Sequence, residues 1–232
     1  MNEGKMDMRT KITLTILMGS IVLALAACGN QSADQSAVQP ESQAQGREGA
    51  ASGSTVKVYQ QTFENSVFLG DSITEGLSFH DVLDEKNVLA GAGKTAEFAL
   101  EDIEELVKRN PKQVFIQLGS DDILWPTDDP LTYAMNNYAK LIGMIRDKLP
   151  EVQITLLTVT PVTEEAIKKE PRYNTIPDFN QALKNLAGNE QVGFVDLAPI
   201  FKDAADMYDS DGIHFKPEFY ARMLDLLKEH VK

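Results

Sequence analysis

Short apolar runs alternate with longer amphipathic segments over the last two thirds of the chain. The runs are too short for helices and are built around consecutive apolar residues, which is typical of β-strands buried on both faces. Five strands are predicted in this way: SVFLG at 66–70, NVLA at 87–90, QVFIQL at 113–118, QITLLTVT at 153–160 and VGFVDL at 192–197.

Helical periodicity fills the intervals between these runs. In the first interval, Ala99, Ile103 and Leu106 recur at spacings of three and four, with acidic residues on the opposite face. Alternating strands and helices predict an α/β domain with a mainly parallel sheet covered on both sides, in which ligands bind beyond the carboxyl ends of the strands. Helices are predicted at about 95–109, 131–148, 175–188 and 216–231.

The N-terminus has the pattern of an export signal. Lys5, Arg9 and Lys11 precede an uncharged run over 12–27, which ends directly at Cys28. With sixteen residues, the run is shorter than the roughly 20 that a membrane-spanning helix needs, so a plain membrane span is the less favoured interpretation.

The tetrapeptide Leu25-Ala26-Ala27-Cys28 resembles the lipobox of bacterial lipoproteins. The resemblance implies cleavage before Cys28, lipidation of its thiol, and a mature chain anchored on the extracytoplasmic face of the cell membrane. The alternative for a lone cysteine is a buried, unreactive side chain. We therefore expect a signal peptide at 1–27.

Residues 29–55 are rich in Ser, Ala, Gln and Gly and contain no aromatic residue. Such a composition cannot offset the entropy lost on ordering, and a flexible linker is predicted. The expected organisation is a lipidated Cys28 with its linker at 28–55 and a globular domain at 56–232.

Composition argues against two classes of protein. One cysteine rules out a disulfide scaffold, and the formal net charge of -13, without any cluster of cations, argues against a nucleic-acid partner.

Ser72 follows the first predicted strand in the segment Gly70-Asp71-Ser72-Ile73-Thr74. A helix is expected to begin near Thr74, and a serine held on a tight turn beside helix N-terminal amides can act as a nucleophile. The alternative is a simple helix N-cap. The segment lacks the second glycine of the Gly-x-Ser-x-Gly pattern, because position 74 is Thr.

Asp211 and His214 lie just before the last predicted helix, in Asp-Gly-Ile-His. A carboxylate at this spacing can orient the imidazole while the other ring nitrogen acts as a general base. Together with Ser72, this pair would supply a nucleophile, a base and an orienting group.

Gly93 follows the second strand in Gly91-Ala92-Gly93-Lys94-Thr95. The segment is not a nucleotide-binding P-loop, because the earlier glycine of that motif is replaced by Val88. We expect either a glycine amide facing the sheet edge or an ordinary tight turn.

Asp121 and Asp122 follow the third strand in Gly119-Ser120-Asp121-Asp122. No further ligand stands beside them at a suitable spacing, so capping of the next turn is favoured over a metal site.

Taken in order, these four segments resemble the SGNH (GDSL-like) hydrolase family. The resemblance implies a flavodoxin-like three-layer α/β/α sandwich and hydrolysis of esters without a metal or other cofactor. It implies that Ser72 is the nucleophile, that Asp211 and His214 complete the triad, and that the oxyanion hole is formed by Ser72, Gly93 and the residue at position 121.

Position 121 departs from the family pattern. The family's Gly-x-Asn-Asp block places an Asn there, whereas this chain has Asp121, and an ionised carboxylate cannot donate a hydrogen bond to an oxyanion. The sequence leaves three outcomes open: a protonated Asp121 that donates, a carboxyl that turns away, or a site that binds without catalysis.

The expected function is an anchored serine esterase that removes short acyl groups from a glycan, an envelope polymer or a lipid. The alternative is a non-catalytic lipoprotein that binds such a component in the same cleft. The segments 125–130 and 164–174 follow strands three and four, and they either line this cleft or form exposed loops.

Overall fold

The computed structural model describes residues 53–202 and 206–231. The predicted signal peptide, Cys28 and nearly all of the predicted linker lie outside these residues. Among the helices of the described residues, none has the length and apolar character that crossing a membrane requires.

Five parallel strands form one sheet in the order β2-β1-β3-β4-β5. Because all of them run in the same direction, their carboxyl ends meet at one edge, where the predicted functional segments begin. The strands are β1 (Ser66–Gly70), β2 (Val88–Ala90), β3 (Gln113–Gln117), β4 (Gln153–Leu157) and β5 (Gly193–Val195).

Seven α-helices accompany the sheet within the described residues. Short 3-10 helices at 85–87, 98–102, 122–124, 171–175, 198–201 and 228–230 continue or join them. The helices are α1 (Gly53–Thr62), α2 (Ser72–Phe79), α3 (Ile103–Arg109), α4 (Pro130–Lys148), α5 (Glu164–Lys169), α6 (Ile176–Glu190) and α7 (Pro217–Leu227).

Successive residues of the strands feed two separate hydrophobic cores. Val114 and Ile116 of β3 pack with α3, α4 and α6, whereas Phe115 packs with α1, α2 and α7. This alternation is the pleat of a strand whose two faces are both covered. The result is the predicted three-layer α/β/α arrangement.

Three helices differ from the sequence prediction. α1 begins at Gly53, before the predicted domain start at 56, and α5 was not predicted. α2 begins at Ser72 and not near Thr74, because the Asp71 side chain caps the helix there and accepts a hydrogen bond from the Ile73 amide at 2.9 Å.

Candidate active site

Ser72 is the first residue of α2 and follows the last residue of β1 by two positions. The strand ends at the carboxyl edge of the sheet, and the cap formed by Asp71 turns the chain directly into the helix. The hydroxyl of Ser72 therefore lies at a helix N-terminus, where free backbone amides and the helix dipole favour negative charge.

His214 and Asp211 reach Ser72 from the segment before α7. His214 Nε2 lies 2.9 Å from Ser72 Oγ, and His214 Nδ1 lies 2.5 Å from Asp211 Oδ2. Because a carboxylate only accepts hydrogen bonds, Nδ1 carries the proton and Nε2 is left free to accept from the serine hydroxyl. This is the arrangement that a serine nucleophile and its general base require.

Backbone amides hold the Asp211 carboxylate in place. Its Oδ1 accepts hydrogen bonds from the amides of Ile213 and His214 at 2.8 and 2.9 Å. Partial burial acts to raise the pKa of Asp211, but the hydrogen bonds from the His214 ring and from the two amides outweigh it and lower the pKa. Asp211 is thus kept ionised beside the imidazole.

Gly93 lies in the loop after β2, at the same edge of the sheet as Ser72. Its φ of 74° is in the left-handed region, which a glycine adopts without the steric cost that a Cβ brings. The loop is tied to the end of β1, because the Gly91 amide donates to the Gly70 carbonyl at 3.3 Å.

Asp122 connects this loop to the segment after β3. Its carboxylate is 2% exposed and accepts from the Ala96 amide at 3.0 Å. Burial raises the pKa of Asp122 to about 7, and the charges of Asp71 and Asp121 act in the same direction. Asp122 therefore holds two loops of the site together.

Asp121 is partly buried beside the candidate triad. Burial raises the pKa of its carboxyl, and the charge of His214 opposes this rise.

Within residues 53–202 and 206–231, no group of three or more His, Cys, Asp or Glu side chains is arranged to hold a metal ion.

Asp71 and Ser120 form a link that the sequence did not single out. Ser120 Oγ donates to Asp71 Oδ2 at 2.5 Å, while Oδ1 of the same carboxylate caps α2. Burial raises the pKa of Asp71 to about 6, although the bond from Ser120 acts to lower it. The sequence suggests only a capping role for Asp71. Its burial and its bond to Ser120 became visible only in the structure.

Ser72 and His214 open into a cavity of about 320 Å³. Its walls come from α2, from the segment around Asp209 and from α7, together with Ala92 of the loop after β2. The segments 125–130 and 164–174 contribute none of its lining residues. Parts of both instead line a second cavity of about 410 Å³, together with Ile123 and Phe179.

The sequence model of the GDSL-like Lipase/Acylhydrolase family matches residues 68–222, a span that contains each of these segments. The chain belongs to this family. The predictions of the family and of a serine ester hydrolase are thereby confirmed. No curated protein shows significant sequence similarity to the chain.

Solved structures show the same fold. A GDSL-like lipase from Bacteroides thetaiotaomicron is 21% identical with a TM-score of 0.60, covering 75% of this chain and 89% of that protein. A lipase/acylhydrolase from Enterococcus faecalis is 18% identical with a TM-score of 0.56, covering 72% and 96%. The acetyl xylan esterase AlAXEase is 17% identical with a TM-score of 0.55, covering 72% and 99%. At these identities the likeness confirms the predicted fold, whereas the roles of individual residues stay predictions.

Proposed function

We propose that this protein is a membrane-anchored, extracytoplasmic serine esterase that removes short acyl groups from a glycan, an envelope polymer or a lipid. The observation that carries the proposal is the continuous hydrogen-bond path from Ser72 through His214 to Asp211 at the wall of a cavity. Membership of a family of acylhydrolases supports the reaction class.

In the proposed first half-reaction, Ser72 Oγ attacks the carbonyl carbon of the ester and passes its proton to His214 Nε2. Asp211 stabilises the imidazolium through Nδ1. The amides of Ser72 and Gly93 bind the oxyanion. Collapse of the tetrahedral intermediate breaks the bond to the alkoxy oxygen, which leaves as the alcohol with the proton from His214.

In the second half-reaction, water attacks the acyl-enzyme. His214 takes a proton from the water, a second tetrahedral intermediate forms, and the bond to Ser72 Oγ breaks as His214 returns the proton to that oxygen. The products are the carboxylic acid and the free enzyme. No step needs a group from outside the chain except the ester and water.

Cavity size favours a short acyl group. A volume of about 320 Å³ is at the lower end for small-molecule sites, and it must hold the reacting ester as well as any substituent. The fold shared with an acetyl xylan esterase is consistent with an acetylated glycan as substrate.

Anchoring is proposed from the sequence around Cys28. Lys5, Arg9 and Lys11, the apolar run over 12–27 and the lipobox-like Leu25–Cys28 together describe a lipoprotein signal. Replacing Cys28 with Ala should remove fatty-acid labelling and release the protein from membranes. Unchanged labelling in Cys28→Ala would contradict the anchor.

The function is tested by exposing the protein to a fluorophosphonate and measuring intact mass. A single adduct is expected on the wild type and none on Ser72→Ala, whose thermal midpoint should stay close to that of the wild type. Ser78→Ala is a matched control, because Ser78 is also in α2 but does not line the cavity beside Ser72 and donates to the Glu75 backbone carbonyl.

An equal adduct on Ser72→Ala would overturn the assignment of the nucleophile. If the wild type forms no adduct but Asp121→Asn does, the catalytic groups are present and Asp121 suppresses them. That second outcome would favour the alternative function, a lipoprotein that binds its ligand without hydrolysing it. The reason to consider this alternative is the carboxylate at position 121.

A further inference from the structure

The walls of the cavity beside Ser72 combine carboxylates with aromatic rings. Glu75 and Asp209 supply the acidic groups, and none of the lining residues is Lys or Arg. The aromatic walls are Phe79, Phe215 and Tyr220, with the imidazole rings of His80 and His214.

Glu75 is the acidic group best placed to meet a substrate. It lies three residues after Ser72 in α2, so the two side chains occupy the same face of the helix. Its side chain is exposed, and within the described residues the carboxylate forms neither an ion pair nor a hydrogen bond. It is therefore available to a ligand in the cavity.

Asp209, in the segment before α7, adds a second negative charge to the lining of the cavity. Its Oδ1 accepts from the Ser210 amide at 2.7 Å, and its second oxygen has no side-chain partner among the described residues. The nearby Lys216 does not line the cavity, and its ammonium is paired with Asp206 at 2.8 Å. Burial together with the charges of Asp71 and Asp209 raises the pKa of Tyr220, so the field of Asp209 reaches the aromatic wall.

Phe79 lies at the rim of the cavity with 78% of its surface exposed. Its ring forms a T-shaped contact with the His80 imidazole at a centroid distance of 5.0 Å, and most of the ring surface is accessible to solvent. His80 Nε2 lies 3.2 Å from the Phe215 carbonyl oxygen, to which it donates. An open phenyl face beside carboxylates is suited to a cation, which the ring quadrupole attracts.

We propose that the substrate carries a positively charged amino or quaternary ammonium group close to the scissile ester, bound by Glu75, Asp209 and the face of Phe79. The inference rests on the proposed esterase function and narrows its substrate class. Anionic substituents are correspondingly excluded, because the cavity walls and the net charge of -13 repel them.

The test compares cationic esters with neutral esters of the same shape, using the full-length protein at low ionic strength. Acetylcholine and 3,3-dimethylbutyl acetate place the charge in the alcohol, whereas β-alanine ethyl ester and ethyl butanoate place it in the acyl group. In at least one pair, kcat/KM for the cationic ester should exceed that for the neutral ester by about tenfold.

Glu75→Gln should reduce this ratio several-fold, and added salt should reduce it in the wild type. Glu104→Gln is the matched control, because Glu104 is exposed on α3 and does not line the cavity. A wild-type ratio of one or less in both pairs would overturn the proposal, as would a ratio that Glu75→Gln leaves unchanged.

If none of the four esters is hydrolysed, protection of Ser72 from the fluorophosphonate decides the question. Choline should protect at a lower concentration than 3,3-dimethylbutanol, and equal or weaker protection overturns the proposal. If no adduct forms at all, the esterase function fails separately. NMR titration with choline then tests the cation site alone, since binding lost in Glu75→Gln supports it and absence of binding overturns it.

Discussion

The resemblance to the family places Asp121 at a position where the proposed oxyanion hole requires a hydrogen-bond donor. An ionised carboxylate at this position accepts only and repels the charge that develops on the substrate oxygen. Burial raises the pKa of Asp121 and so favours the protonated form, which donates as an amide would, while the nearby His214 acts in the opposite direction. In the proposed mechanism, the rate would therefore depend on the protonation of this one carboxyl.

Asp121→Asn should raise kcat at neutral pH, by up to about 10²-fold if the amide supplies the missing donor. The ratio of mutant to wild-type rate should grow as the pH rises, because the wild-type carboxyl loses its proton while the amide does not titrate. The measurement is the pH profile of kcat for the two proteins on one ester.

An Asp121→Asn rate equal to or below that of the wild type at every pH would show that the carboxylate is tolerated or contributes positively. Asp128→Asn serves as the control, since Asp128 is an exposed acid of the same loop and lines only the second cavity.

At the level of elements, the position of α2 depends on how closely it approaches α7. A Cβ on Gly76 would lie 1.9 Å from the Tyr220 hydroxyl oxygen and 2.1 Å from its Cζ, and the Tyr220 ring is 1% exposed. The ring cannot retreat without opening the core, so only glycine permits this approach. The same contact sets the wall of the cavity beside Ser72.

Gly76→Ala should therefore lower the free energy of unfolding by about 1–3 kcal/mol or more through overpacking, although alanine favours helices. Gly143→Ala in α4 is the matched control, because nothing lies within 4 Å of the added Cβ. That variant should gain about 0.5–1 kcal/mol from helix propensity. Urea unfolding measures both, and a neutral Gly76→Ala would show that α2 and α7 can separate freely.

The strands were predicted closely because β1 and β3 have a continuous apolar centre and are buried at every position. β4 was predicted to continue to Thr160, but it ends at Leu157. There the Asn180 side chain takes over the hydrogen bonding, with its Oδ1 2.8 Å from the Val159 amide and its Nδ2 2.9 Å from the Val159 carbonyl. A side chain from a distant helix leaves no trace in the local pattern.

The segments that form α1 and α5 lack a helical pattern of apolar residues, so these two helices were not predicted. α5 has only six residues, although the Thr163 cap, two following acids and two final lysines were a usable signal. α1 lies in a polar segment and is held by tertiary contacts such as the Tyr59 hydroxyl donating to the Ala221 carbonyl at 3.2 Å. Likewise, motif spacing predicted Ser72 and His214 together, whereas the side chains that line the cavity beside them depend on how α2, α7 and the loop after β2 pack and could not be predicted.

Across the whole molecule, folding raises the pKa of two buried carboxyls and lowers that of an exposed one, so the two kinds of group change the stability with pH in opposite directions. Burial raises the pKa of Asp71 to about 6 and that of Asp122 to about 7, from an ordinary value of 3.8. In contrast, hydrogen bonds from Arg172 lower the pKa of the exposed Glu170 to about 2. The two groups of acids therefore act on stability in different pH ranges.

A carboxyl whose pKa is raised by folding holds its proton in the native state after the unfolded chain has released it. Between about pH 4 and pH 7 the native state then binds more protons, and the stability falls as the pH rises. Carboxyls with lowered pKa values contribute their stability above about pH 4 and lose it only below that. The two effects together predict a maximum of stability near pH 4–5, with a decline toward neutral pH.

We therefore expect the urea midpoint to be higher at pH 5 than at pH 7.5. The free energy of unfolding should differ by about one to a few kcal/mol, at roughly 1.4 kcal/mol per pKa unit. Asp122→Asn should flatten this decline, because an amide does not titrate while its oxygen can still accept from the Ala96 amide. The slope is the readout, since the substitution can change the absolute stability at every pH through the buried amide group. Asp196→Asn, at an exposed site, should keep the wild-type slope. A midpoint that rises between pH 5 and 7.5 would contradict the prediction. It would show that folding does not raise the pKa values of Asp71 and Asp122, because the loops around Ser72 stabilise their ionised forms.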